Sequence, residues 1–96
     1  MIVSFGDRAS RDVADGLDSK DARSIPKGIW HVARRKLDYL RAAHDVLDLS
    51  SPPANRLEKL VGDLKGFWSI RVNDQYRVIS KWESGNAHEV QIVDYH

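Results

Sequence analysis

Hydrophobic and polar positions change their period near the middle of this chain. Over residues 27–47, Ile29, Ala33, Leu37, Leu40, Ala43 and Leu47 recur three or four positions apart and line one face of a helix. Trp30 and Val32 flank that stripe, and the spacing predicts a long helix over 27–47. Past residue 66 the pattern alternates instead. Trp68, Ile70 and Val72 fall on one side of a strand over 67–72, with Ser69 and Arg71 on the other. Further strands are predicted at 76–82 and 87–94. Asn73-Asp74-Gln75 and Glu83-Ser84-Gly85-Asn86 supply the turns between them. Residues 56–61 fit a short strand or edge segment, followed by a turn at 62–66.

The first quarter of the chain is punctuated more closely. MIVSF is a short β-rich run that stops at Gly6-Asp7. Asp7 is placed to cap a short helix through Ala14, and Gly16 follows where a helix commonly ends. SKDARS makes another turn, which Pro26 closes. The break at Ser50-Ser51-Pro52-Pro53-Ala54-Asn55 must end the long helix, because a residue before proline is pushed out of the helical region. Neither side of that break is large enough to fold alone, so residues 1–96 are expected to form one domain. The order is an N-terminal strand, two or three helices, then a twisted antiparallel meander of three or four strands. That predicts an α+β fold with helices layered on a sheet.

Composition narrows the function classes. Of 96 residues, 42% are hydrophobic and 30% charged, the profile of a folded chain rather than a disordered one. With no cysteine, disulfides and thiolate metal sites are excluded, and a fold held by its core alone suits the cytoplasm. The N-terminus lacks the basic and long apolar regions of a signal peptide, and no window approaches the roughly 20 apolar residues of a membrane helix. A net charge of +1 neither demands nor excludes nucleic acid, since phosphate binding depends on where charges cluster. Here they do cluster: Arg34-Arg35-Lys36 and Arg41 on the helix, and Arg56, Lys59, Lys65, Arg71, Arg77 and Lys81 in the second half.

Four groups of residues carry chemistry. His31, His44, His88 and His96 show no close metal-ligand spacing, so no metal is expected, and His31 and His44 read as solvated. Arg34, Arg35 and Lys36 are either the wet face of an amphipathic helix or a grip for RNA phosphates. Arg71 and Arg77 lie on adjacent predicted strands joined by a short turn and can sit close together, and two guanidinium groups in proximity repel unless an anion lies between them. Asp74, Asp94 or Glu58 could supply it, or a phosphoryl group could. The closing Asp94-Tyr95-His96 puts an acid, a phenol and an imidazole together. Asp94 and His96 share strand parity, and negative charge beside the imidazole favours the protonated form that a general acid needs. The plain alternative is a polar tail.

Four segments, IVSF, PPANRLEKLVGD, GFWSIRVNDQYRVISKW and VQIVDYH, together resemble the HigB group of RelE/ParE-superfamily toxins, the plasmid maintenance system killer proteins. The resemblance spans nearly the whole chain. It implies a microbial RNase fold and a ribosome-dependent endoribonuclease that cleaves messenger RNA through its own 2′-hydroxyl, without metal or cofactor. It also implies a helix-turn-helix, HigA-like antitoxin as partner. Arg77 matches the family's sheet arginine, and Asp94, Tyr95 and His96 match its terminal catalytic cluster. In that reading Arg77 stabilises the phosphorane, His96 is the acid, Asp94 orients it, Glu58 or Asp94 is the base, and Tyr95 holds the nucleotide. Arg34, Arg35, Lys36, Arg56, Lys59 and Arg71 would bind RNA or the ribosome. Glu58 stands where some relatives have histidine and Val61 where some have lysine, which implies slower cleavage or more reliance on Arg56, Lys59 and Arg71. The competing reading is the same fold kept as a protein- or nucleic-acid-binding module with catalysis lost, or a structural domain pinned by its terminus.

Overall fold

Asp7 opens the first helix. Its carboxylate accepts from the Ser10 backbone N–H at 2.7 Å and caps α1 (Arg8–Ala14), and Gly16, at φ 75, turns the chain away. These assignments come from a computed structural model that describes residues 1–95. A 3₁₀ turn at Ala22–Ser24 and another at Lys27–Ile29 lead into α2 (Trp30–Ala42), 13 residues long.

The helix predicted over 27–47 is therefore too long at both ends. Ala43 leaves it with ψ 137, and Asp45 begins a separate 3₁₀ turn, Val46–Ser50. Asp45 accepts from Leu47 N at 2.8 Å, while Asp48 accepts from Asp45 N at 3.1 Å and His44 N at 2.9 Å. This reciprocal cap satisfies the backbone locally and displaces continuation of the helix. Leu47, which periodicity assigns to the buried stripe, is 62% exposed.

The second half is an antiparallel meander in the order β1 (Glu58–Lys59), β2 (Trp68–Arg71), β3 (Tyr76–Glu83) and β4 (Asn86–Asp94). Ser84 and Gly85 both have positive φ in the β3–β4 turn, the twist a two-residue hairpin loop requires. A Cβ at Gly85 would also meet the His44 carbonyl oxygen at 2.5 Å, so a side chain is barred there twice over. The N-terminal run appears as two parallel bridges to β4, Ile2 with Ala87 and Phe5 with Val90, along the sheet's outer edge.

Ile70, Val78 and Ile92 stand in one rung across β2, β3 and β4 and meet Val13, Leu37, Leu40 and Leu49 beneath the helices. The opposite side of the sheet is not simply polar. Leu60, Phe67 and Ile79 form a second small cluster there, with Leu64, Val93 and Tyr95 packed against it. Ser69, expected on a polar face, is fully buried on that side, where its cross-strand partner is Ile79 of that cluster. Helices on one side and an antiparallel sheet on the other make the predicted α+β architecture.

Candidate active site

The site begins at the Pro-Pro turn. The 3₁₀ turn Pro53–Asn55 ends at Arg56, which takes a left-handed conformation, φ 47 and ψ 56. A non-glycine residue held there costs on the order of 1–3 kcal/mol and persists only where its surroundings dictate it. The chain then enters β1 through Leu57 and Glu58. Arg77 comes from β3, and Arg56, Leu57, Glu58 and Arg77 line an open cleft of about 250 Å³.

Arg77 is half-buried, its guanidinium 5.5 Å from the centroid of the Tyr95 ring. Its Nε is buried and has no hydrogen-bond partner among the described residues. Arg71 stands directly opposite in the β2–β3 register. Like charges so placed repel, and Arg71 is neutralised by a hydrogen-bonded ion pair with Asp74. The hydrogen bond from Arg71 holds the Asp74 carboxyl below the usual carboxylate range, helped by the charge of Arg71 and less by Arg56 and Arg77. Arg77 thus keeps its charge directed at the cleft, where Glu58 has no ion pair or hydrogen bond through its side chain among the described residues.

The structure gathers Arg56, Glu58 and Arg77 at one cleft, with Tyr95 stacked on Arg77 and Arg71 facing it. Asp94 does not share Arg77's side of the sheet. It pairs with Tyr76 in β3, one step out of parity with Val93, the partner of Arg77. Its carboxylate accepts from Gln75 Nε2 at 3.0 Å. His96 lies outside the described residues. Lys59 falls on the other parity from Glu58 and lies 5.7 Å from the Trp68 ring.

The basic helix run separates into three residues with different surroundings. Arg35 is exposed, and Arg34 reaches back over Gly16. Lys36 corrects the expectation of a phosphate grip: it is 7% exposed, and its Nζ donates to Asn55 Oδ1 at 2.8 Å. Burial, and then the charges of Arg35 and Arg71, hold its ammonium group below its ordinary range. Asn55 and Leu57 were missed in the sequence. An asparagine closing a Pro-Pro turn immediately before an arginine was the available signal. Among the described residues no three histidine, aspartate or glutamate side chains gather to hold a metal ion.

A short helical layer packs on a four-stranded meander, and the cleft opens on the side away from the helices. The YoeB-YefM complex from Staphylococcus aureus has the same fold at 14% identity, with a TM-score of 0.61 over 100% of this chain and 98% of that one. A heterotetrameric YoeB-YefM toxin-antitoxin complex from the same organism aligns at 15% identity with a TM-score of 0.54. Residues 15–96 match the family described as the RelE-like toxin of type II toxin-antitoxin system HigB. Toxin HigB-1 of Vibrio cholerae is 51% identical over 87 residues, 91% of this chain and 90% of that protein. An uncharacterized protein of Haemophilus influenzae is 41% identical over 68 residues, 71% of this chain and 67% of that one. The chain belongs to the HigB-like toxin family, and it is a type II toxin-antitoxin toxin of RelE-like type.

Proposed function

We propose that this toxin cleaves messenger RNA on translating ribosomes, in the cytoplasm, and is held inactive by a helix-turn-helix antitoxin. The observation that carries this reading is the cleft itself: two arginines, and one carboxylate without an ion-pair partner among the described residues, beside an aromatic ring. RNA brings its own nucleophile, the 2′-hydroxyl beside the scissile phosphate. Glu58, at the cleft, is the proposed base for that proton, and the half-buried Arg77 the proposed stabiliser of the charge that develops on the phosphorane. Arg56 adds a second cation at the rim, and Tyr95 offers a ring to the nucleotide. His96 is the proposed acid for the leaving 5′-oxygen, and Asp94, which lies off Arg77's side of the sheet, is left out of the cleft. Glu58 takes one proton from the nucleophile and His96 gives one to the leaving oxygen, so the route needs no metal.

A chain of this size presents little surface to hold RNA in line, and the ribosome supplies the positioning. Messenger bound to ribosomes should be cut, leaving 2′,3′-cyclic phosphate and 5′-hydroxyl ends that chelators do not suppress. Naked message should be cut weakly or not at all. Equal rates on naked and ribosome-bound message, or 5′-phosphate ends, would sink the proposal. Co-expression of the product encoded beside this gene should relieve growth arrest.

A further inference from the structure

Lys36 is the cation that the cleft does not use directly, and its place in the fold suggests another task. Burying an ammonium group is costly unless something compensates it, and Lys36 has no carboxylate partner among the described residues. Its hydrogen bond goes to the side-chain carbonyl of Asn55, and the Tyr39 ring lies 5.7 Å from its Nζ. Asn55 in turn is fully buried and spends its amide on the chain just before it, donating to Leu49 O at 3.2 Å and Ser51 O at 3.4 Å. Three pieces of backbone therefore meet at one side chain: α2, the segment after it, and the Pro-Pro turn. The next residue is Arg56, in its left-handed conformation, and two further on is Glu58. An apolar residue at position 36 would fill the stripe with Ala33, Leu37 and Leu40 more cheaply, so stability alone does not explain a lysine there.

We propose that Lys36 and Asn55 are positioning residues, a buried strut from α2 that fixes the backbone of residues 56–58 and so aims Arg56 and Glu58 at Arg77. The inference rests on the cleft being the cleavage site. It predicts that the strut acts on the rate within the bound complex and not on RNA affinity, because neither side chain reaches the cleft lining. A misplacement of about 1 Å in such a wall is enough to cost up to about 100-fold in rate.

The test is Lys36→Met, which keeps the aliphatic stem and removes the donor. Single-turnover cleavage on ribosomes at saturation should fall, by up to about 100-fold, with half-saturation and its salt dependence unchanged. In the free protein, amide hydrogen exchange at residues 56–58 should accelerate while α2 amides keep their protection. Weaker ribosome binding with a shallower salt slope would instead make Lys36 an RNA contact, and overturn the inference. So would lowered thermal stability with unchanged exchange at 56–58 and unchanged saturating rate. If Lys36→Met does not fold, Asn55→Asp decides the matter. It keeps an acceptor for Lys36 but loses both amide donations, and unchanged exchange at 56–58 in that variant removes the strut. Should the parent itself fail to cleave while exchange at 56–58 still responds, the strut stands and the cleavage reading falls.

Discussion

The two sides of the sheet are built from the same strands by alternate residues, yet they do opposite jobs. On the helix side, the rung Ile70, Val78 and Ile92 is sealed beneath α2 and contributes by leaving water. One residue along, the rung Arg71, Arg77 and Val93 faces away from the helices, where two like charges are set directly opposite each other. That arrangement opposes folding, and it is tolerated because Asp74 takes one arginine while the other is left to the cleft. A rigid strand can hold a strained charge pair only because its reverse side is packed. The difference teaches that the site's precision is borrowed from the core directly behind it.

Four experiments press on that division, in decreasing order of expected effect. Deleting His96, or His96→Gln, should lower single-turnover cleavage by about 10²–10⁴-fold, the usual worth of one proton-transfer group, with thermal stability near the parent. Full activity would return the residue to a polar tail, and a protein that unfolds would make it a structural pin. Leu40→Ala, on the sealed side, should cost about 2–5 kcal/mol in urea melts, because Leu40 is fully buried against the sheet. Its folded fraction should cleave at the parental rate, and a rate loss in folded protein would show that the two sides are not separable. Arg77→Ala should do the reverse, losing about 10²–10³-fold in cleavage with a nearly parental melting temperature. A large stability loss there would make Arg77 a core residue after all.

The smallest effect is a pH dependence at Lys36, which α2 buries on the sealed side against Asn55. Its folded state holds the ammonium group below its ordinary value of 10.5, so between that lowered value and 10.5 the unfolded chain binds more protons. Parent stability must therefore rise with pH through that window relative to Lys36→Met, which has no such proton. Thermal melts of both proteins from neutral pH to 10.5 measure the gap. A constant gap would mean that Lys36 titrates alike folded and unfolded.

What the sequence disclosed, and what it hid, follows the range of the forces involved. Asp7, Gly16 and the two hairpin turns act over a few residues, and each sits where reading the chain places it. Arg71 and Arg77 were legible as a close pair for the same reason, since a short turn joins their strands, and the structure sets them directly opposite. The end of α2 was not, because a three-residue exchange of caps between Asp45 and Asp48 overrode a periodicity that continues unbroken to Leu47. Lys36 read as part of an exposed charge run, solvated or gripping phosphate, although it falls on the stripe with Ala33, Leu37 and Leu40, and the distant Asn55 receives its hydrogen bond. Ser69 and Asp94 were placed by strand parity alone. Parity names a side of the sheet but not what covers it, nor which side carries the cleft.

The bridges between residues 1–6 and β4 set the order in which this molecule assembles. β2, β3 and β4 join through short turns and can zip locally, whereas Glu89 N meets Ser4 Oγ at 3.0 Å across 85 positions and Ile92 N meets Ser10 Oγ at 2.8 Å across 82. Closing such loops carries an entropy cost that grows with their length, so the first segment docks after the meander has formed. Substitutions at Ile2 or Phe5 should then speed unfolding and leave the folding rate alone, the signature of contacts absent from the transition state. Each brief undocking also bares the outer edge of β4, a row of unpaired backbone groups able to accept the same segment from a second molecule. Crowding this protein should therefore produce dimers that have exchanged their first six residues before any other part of the fold gives way.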